Sequence, residues 1–568
     1  MTSRREFLQR AATVAAASGL PPYVLADRAE SGAPVTLVDV RRPPDGVFAQ
    51  TDAGIQRLTR SSDGAWRSGH IEATLAATRD GARIRLSAPA DAVLRLHLRW
   101  RGRMDSARLV LGDAWERGYG DLEWRGIVPD RVMPWYFVAW DGRRTDGYGV
   151  RTRANALCFW QMDADGVSLW ADVRSGGAGV RLGARVLDVC EVSYRPGRAG
   201  ESAFAALHSL CRQLSPAPRL PARPAYGSND WYYAYGKNSA ASFAADAGRI
   251  AELSPDVSNR PFAVVDDGWQ PERSNDKGGD AKKGVGLWDR GNEKFSDMQA
   301  AAAAVRSAGA RPGIWIRPLL APADAPDSWR LARDRAYLDP TVPEAREKIA
   351  ADFRRLAAWG FELIKHDYTT YDIFGRWGFE MGTALTKGGW TFAQGPTHTT
   401  AEVINALYDT MRTAAGDALI LGCNTVSHLS AGVFELCRTG DDTSGTEWAR
   451  TRKMGVNTLA FRAAQHGTFY AADPDCVGVT KAIPWSFNRQ WLDLVARSGT
   501  ALFVSLAPDA LGAPERRDLR AALALAAKAQ PLGEPLDWQG TVWPARWRLA
   551  GATATYDWVG DDGMGPPR

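Results

Sequence analysis

Two rhythms divide the chain. From about Val35 to Leu214, apolar and polar residues alternate in short runs, such as Ala82-Arg83-Ile84-Arg85-Leu86 and Leu94-Arg95-Leu96-His97-Leu98, with Val167-Ser168-Leu169-Trp170-Ala171 alternating more loosely. Period two sends successive side chains to opposite faces, so these runs, broken by Gly and Asp turns, predict antiparallel strands in a β-sandwich. Pro216 to Pro224 is proline-rich and predicts a linker. Beyond it, fully apolar runs alternate with helix-like stretches. The runs are Ala225 to Trp231, Pro261 to Val265, Pro312 to Ile316, Phe361 to Ile364, Ala418 to Leu421, Val433 to Leu436, Thr468 to Tyr470 and Ala501 to Val504. Pro343 to Trp359 shows the helical period: proline suits a first helical position, Ile349, Phe353 and Leu356 share one face, and Gly360 suits the stop. Eight strand–helix units predict a closed (β/α)8 TIM barrel rather than an open sheet. From about Gln530, short strand-like runs around Trp538, Trp543, Trp547 and Trp558 predict a small C-terminal β-sheet. The expected architecture is multidomain α/β plus β: a sandwich over 27–215, the barrel over 216–530 and the terminal sheet over 531–568.

Composition narrows the partners. A chain of 568 residues is too long for one compact core, and 45% hydrophobic with 24% charged residues is an ordinary soluble balance. A net charge of +5 over this length argues against nucleic acid, which requires a concentrated basic patch. Many of the 23 tryptophans are expected in the core, which is the reading for any single one, while such an excess also suits sugar faces, which stack on indole rings. The start of the chain, Ser3-Arg4-Arg5-Glu6-Phe7-Leu8 followed by an Ala-rich stretch, matches a twin-arginine export signal with cleavage after Ala26, and predicts a periplasmic or secreted protein. No later run is apolar for about 18 residues, so no integral membrane segment is expected after cleavage. Six cysteines without ligand spacing and seven unclustered histidines predict neither a disulfide framework nor a metal or other cofactor.

The candidate chemistry appears when the polar residues after each barrel run are read in order. Asp266-Asp267-Gly268-Trp269 follows the second, Trp315 and Arg317 close the third, and Lys365 and Asp367 close the fourth. Gly422-Cys423-Asn424 follows the fifth, Arg438 and Asp441-Asp442 the sixth, and Asp473-Pro474-Asp475-Cys476 the seventh. In such barrels the carboxyl ends of the strands form the active-site face. Acids there supply nucleophilic attack and proton transfer, acids and a lysine bind several hydroxyls at once, and indoles give apolar platforms. The set suits a neutral polyhydroxylated ligand, and no glycine-rich phosphate cradle accompanies it. Carboxylates in this position can also hold Mg²⁺, with Asp266, Asp267 and Asp442 as the ligands.

Asp266-Asp267-Gly268-Trp269, Pro312-Gly313-Ile314-Trp315, Lys365-His366-Asp367, Gly422-Cys423 and Arg438-Thr439-Gly440-Asp441-Asp442-Thr443 together resemble the α-galactosidases (melibiases) of glycoside hydrolase family 36, in the clan shared with family 27. The resemblance covers roughly Ala225 to Ser505 and implies roles. Asp367 matches the nucleophile and Asp442 the general acid/base. Asp266 and Asp267 match the pair that binds the 4- and 6-hydroxyls of galactose, and Lys365 a lysine that holds hydroxyls beside the nucleophile. Trp315 lies in the sugar pocket, Cys423 and Arg438 on the 2- and 3-hydroxyl side, and Trp231 matches an aromatic of the first strand. His366, where the family carries tryptophan or another apolar residue, Arg317, and an insert over Gly375 to Thr391 depart from the pattern.

The implied chemistry is a retaining double displacement that needs no metal. Lys365 favours ionised Asp367, and Asp441 is expected to raise the pKa of Asp442 by repulsion, or to be the acid itself. The expected function is an exo-glycosidase releasing terminal α-galactose, with transglycosylation open to the same intermediate. Within enzymes, an α-N-acetylgalactosaminide or a β-L-arabinopyranoside would use the same site. A carbohydrate-binding protein without turnover is the reading from another class, disfavoured by the presence of both Asp367 and Asp442.

Overall fold

The structure is a computed structural model that describes residues 37–255, 258–271 and 286–560. The twin-arginine segment expected over 1–26 lies outside these residues. The alternating runs form strands as their pattern requires. In Gly81–Ser87, Ala82, Ile84 and Leu86 are buried while Arg83 and Arg85 are exposed. Thirteen such strands, from Gly46–Thr51 to Leu187–Arg195, form one antiparallel sheet rather than the two of a sandwich. The reason is the strand Gly54–Arg60. It pairs with Gly46–Thr51 through Gly54 to Leu58 and with Trp66–Ser68 through Thr59 and Arg60, so hydrogen bonding passes from one half to the other. The sheet curls until Trp135, at φ 65°, joins its two ends: its N–H donates to the Cys158 carbonyl and its own carbonyl accepts from Val150 N. A helix, Ala203–Leu214, then packs Leu210 and Leu214 on Gly147 and Gly149, where side chains on the strand would collide with it.

The second sheet is parallel, with helices between its strands. In chain order these are Tyr226–Asn229, Phe262–Val265, Arg311–Ile316, Leu363–His366, Leu419–Gly422, Leu436–Arg438, Ala471–Asp473, Cys476–Val479 and Leu502–Leu506. Each pairs with its sequence neighbour except across Pro474-Asp475, where the chain bends. Ala471–Asp473 pairs with the sixth strand and Cys476–Val479 with Leu502–Leu506, which in turn pairs with Tyr226–Asn229. The two edges therefore belong to one bent run, and Ala501 N donates to the Ala472 carbonyl across the gap at 3.0 Å. The sixth and seventh strands each start three residues later than expected, because Val433 and Phe434 belong to the turn that follows the short helix Ser427–Ser430, and Thr468 to Tyr470 to the turn before Ala471. Inside the sheet Ala225, Phe262, Val264, Leu363, Leu421, Leu436 and Phe503 form a small apolar plug beneath the polar residues.

The helix Pro343–Ala358 buries Ile349, Phe353 and Leu356 and stops at Gly360, whose φ of 93° admits the chain's reversal. The predicted terminal sheet is present as Glu534–Pro535, Arg546–Leu549 and Ala552–Thr555, with Trp547 fully buried on it. No helix among the described residues is long and apolar enough to cross a membrane.

Candidate active site

Alternation within the fourth parallel strand sets the site. Lys365 points into the sheet's interior, where its Nζ donates to Asp266 Oδ2 at 2.7 Å, while His366 points outward among Phe353, Tyr408 and Phe434. Burial works against the Lys365 charge, but Asp266 and the carboxylates beyond it outweigh burial and hold its pKa well above the ordinary value. Asp266 also accepts from Asn229 Nδ2 at 2.7 Å, and Asp267 from Gln270 Nε2 at 2.5 Å. Both aspartates are almost fully buried.

Asp367 follows the strand and is held at both carboxylate oxygens. Trp315 Nε1 donates to Oδ2 at 3.3 Å, and the N–H of Tyr368 donates to Oδ1 at 2.8 Å. Tyr368 stands at φ 65°, an unfavourable region for a bulky residue, and this conformation is what turns its N–H back onto the carboxylate. The Arg317 guanidinium lies 4.1 Å from the Tyr368 ring centroid and is ion-paired at 2.6 Å with Asp372; both ion-pair side chains are 0% exposed. Trp315 is itself buried against Trp288, so it orients Asp367 rather than offering an open platform.

Asp442 lies across the site on the loop after the sixth strand. Arg438 from that strand reaches Asp442 Oδ1 at 3.3 Å, Asp475 Oδ2 at 2.8 Å and Cys423 Sγ at 3.4 Å. Asp475 anchors the loop by accepting from Thr443 N and Oγ1 at 2.8 and 2.9 Å and from the Tyr232 hydroxyl. Its φ of 74° at the bend after Pro474 aims the carboxylate there. Asp442 is the open carboxyl of the group, its side chain 38% exposed against 17% for Asp441 and 4% for Asp475.

Repulsion from Asp441 does not govern Asp442, contrary to expectation. Asp441 is clamped by Arg117 Nη2 at 2.6 Å and Arg450 Nη2 at 2.8 Å. Burial pushes the Asp442 pKa up, but Arg438, Arg117, Lys365 and Arg450 outweigh it and lower it to about 2. Cys423 is buried, and burial followed by Asp367 pushes its thiol well above its usual range, so it stays protonated beside two guanidinium groups. Trp231 opens the short helix Trp231–Ala234, its N–H donating to Asn229 Oδ1 at 3.0 Å, and packs against the apolar plug.

The fold therefore brings two hydrogen-bonded pairs, Lys365 with Asp266 and Trp315 with Asp367, together on adjacent strands as one arc, and Cys423, Arg438 and Asp442 into a second. The arcs meet where Asp367 and Lys365 both act on Cys423. Sequence reading missed Arg117 and Glu116, which lie on the connection between the antiparallel strands Leu109–Gly112 and Met133–Pro134. Glu116, fully buried, accepts from Asn424 Nδ2 at 2.5 Å and from Gly378 N at 2.9 Å in the insert. The one available signal was that Glu116-Arg117-Gly118-Tyr119-Gly120 breaks the alternation of its surroundings. Asp475 was visible within the seventh-strand motif, but nothing in the sequence tied it to Arg438. The insert contributes Trp377, whose ring is 5.6 Å from Tyr368 and 4.5 Å from Tyr371.

No protein-family model matches the chain. No curated protein matches it either. Solved structures do. An α-galactosidase of Thermus thermophilus in complex with p-nitrophenyl α-D-galactopyranoside superposes with a TM-score of 0.58 at 19% identity, over 87% of this chain and 98% of that one. The family 36 α-galactosidase AgaA of Geobacillus stearothermophilus gives 0.56 at 15% identity, over 85% and 75%. The galactosidase domain of an α-galactosidase–sucrose kinase gives 0.53 at 14%, over 84% and 73%. With both sheets spanned at that coverage, the chain has the fold of the family 36 α-galactosidases.

Proposed function

We propose that the chain is a retaining exo-glycosidase that releases terminal α-linked galactose, with its parallel sheet read as a closed (β/α)8 barrel and Asp367 and Asp442 as the reacting pair. The observation that carries this is the contrast between the two carboxylates: Asp367 is fixed at both oxygens, while Asp442 is open to solvent and loosely held. A nucleophile gains from fixed aim, and a group that exchanges protons with a leaving group and then with water gains from access. The same contrast selects Asp442 over Asp441, whose two ion pairs leave it no freedom to serve as acid.

In the first step Asp367 attacks the anomeric carbon while protonated Asp442 gives its proton to the departing oxygen. In the second, ionised Asp442 takes a proton from water, which attacks the glycosyl ester and frees Asp367. Asp266 and Lys365 present a charge-assisted pair to hydroxyls of the sugar, and Asp267 a second acceptor. The cations around Asp442 favour its ionised form, which serves the second step. For the first step, a leaving group that covers the half-exposed carboxyl removes water from it and raises its proton affinity. The twin-arginine motif places the mature enzyme outside the cytoplasm in this reading.

The test uses p-nitrophenyl α-galactoside, α-N-acetylgalactosaminide and β-L-arabinopyranoside, with the anomer released first followed by proton NMR. We expect turnover of the α-galactoside with the α-anomer formed first, and a loss on the order of 10⁴-fold or more in Asp367→Ala. Turnover of only one of the other two glycosides would reassign the sugar, an inverted product would refute the double displacement, and sugar binding without turnover would make the chain a lectin.

A further inference from the structure

The antiparallel sheet reaches into the site through one buried cation. Arg117, 6% exposed at its side chain, places Nη2 2.6 Å from Asp441 Oδ1 and Nη1 3.9 Å from Asp442 Oδ1. Nη1 also lies 3.4 Å from the Cys423 carbonyl and 3.5 Å from its Sγ. The backbone on either side is pinned. Gly118 N donates to the Thr439 carbonyl at 2.8 Å, and Asp441 N to the Gly118 carbonyl at 2.9 Å. This docks the Arg117 segment directly on the loop that carries Asp441 and Asp442. Glycine at position 118 permits this close docking, because a Cβ there would stand 2.9 Å from Thr458 Cγ2 and force that side chain to shift. On the other side, Ser427 Oγ donates to the Glu116 carbonyl at 2.8 Å, and the guanidinium lies between the Tyr119 and Trp377 rings, 5.7 Å from each centroid.

We propose that Arg117 is a positioning residue that sets when Asp442 holds its proton. It does so by neutralising Asp441 as a neighbouring charge and by attracting Asp442 directly. The inference rests on the glycosidase reading above. The groups that face Asp442 come from six elements: Arg438 from the end of the sixth strand, Asp441 on its own loop, Arg117 from the connection that follows the antiparallel strand Leu109–Gly112, Lys365 from the fourth strand, Arg450 from the helix Trp448–Thr451, and Tyr232 from the helix after the first strand. Asp475 competes with Asp442 for Arg438 at 2.8 Å against 3.3 Å, so Arg438 is shared, and Arg450 is committed to Asp441. Among the described residues, Arg117 is the one cation within 4 Å of both carboxylates of the Asp441-Asp442 pair. Its two effects have the same sign: one cation is added near Asp442 and one anion's repulsion is cancelled, and both favour ionised Asp442.

The measurement is the pH dependence of kcat at saturating α-galactoside for the full protein. Its descending limb follows loss of the acid's proton in the enzyme–substrate complex, where the leaving group covers Asp442. Arg117→Met is expected to move that limb to higher pH by about one unit, the lower end of what an opposite charge at this range contributes. Asp441→Asn is expected to move it the other way, since Arg117 then has Asp442 as its nearest carboxylate. A merely structural arginine would lower kcat at every pH and leave the limb in place, and that result overturns the proposal. If Arg117→Met melts below the assay temperature, Asp441→Asn decides: an unmoved or upward-shifted limb overturns the inference. An Asp441→Asn enzyme that loses its proton-donor function while Asp442→Asn keeps it overturns it as well. Absence of turnover in the unmodified protein removes the glycosidase reading and this inference with it, whereas turnover with an unmoved limb removes only this one.

Discussion

Lys365, His366 and Asp367 show how much one residue's direction decides. Strand alternation sends Lys365 inward to Asp266 and His366 outward into an aromatic pocket, 4.9 Å from the Phe434 ring centroid. An apolar residue is what this pocket asks for, and His366 fills it at a cost: both ring nitrogens are buried without a hydrogen-bond partner among the described residues. Burial lowers its pKa to about 3. The unfolded chain protonates its histidines near 6.5, so between about pH 6.5 and 3 the unfolded state binds more protons, and the stability present above that window is lost as pH falls through it. His366→Leu is therefore expected to raise stability at pH 7 by about 1–2 kcal/mol, from removal of an unpaired buried polar group. Its advantage over the unmodified protein should widen at pH 5. Urea unfolding at the two pH values checks both parts, and a constant difference would refute the linkage.

At the scale of elements, two bends aim the acids. Pro474-Asp475 breaks the seventh strand and turns Asp475 onto Arg438 and the Thr443 loop. After the fourth strand, Tyr368 takes a left-handed conformation before the helix Thr369–Phe374, and Arg317 holds it there by stacking on its ring and pairing with Asp372 from that helix. Removing one partner of such a pair leaves a charge buried alone. Arg317→Met is expected to cost about 3–5 kcal/mol and to lower kcat more than it raises KM, because Asp367 loses its fixed N–H donor. Adding Asp372→Asn should recover a large part of the stability, since it removes the orphaned charge. Thermal unfolding of the two single variants and the double variant gives the coupling energy, and simple additivity would show that the pair does not act as a unit.

Across the whole molecule, the antiparallel and parallel sheets meet through buried polar contacts rather than through a thin linker. Asp113 and Arg462 pair at 2.9 Å with side chains 2% and 0% exposed, and Gln465 Nε2 also donates to Asp113 at 2.8 Å. Asp113→Ala is expected to destabilise by about 3–5 kcal/mol by leaving Arg462 unpaired. If the two sheets unfold as one unit, a single calorimetric transition will move down as a whole. A variant in which only an early, separate transition shifts would show that they unfold independently. Much of this architecture was legible in order along the chain. Period-two runs marked the antiparallel strands, apolar runs between helical stretches marked the parallel ones, and the helix Pro343–Ala358 was readable from its proline, its apolar face and Gly360. The polar residues at the strand ends were legible for the same reason: strand direction alone puts them at one end of the sheet. Three things were decided only by the tertiary structure. Continuity through Gly54–Arg60 made one sheet of an expected sandwich, because which strands share a ladder depends on pairing partners distant in sequence. Arg117 reached Asp441 and Asp442 from more than three hundred residues away, which no local period encodes. The charge state of Asp442 followed from cations on several elements meeting in space, so its carboxyl was written in the chain, but its proton affinity was set by the fold.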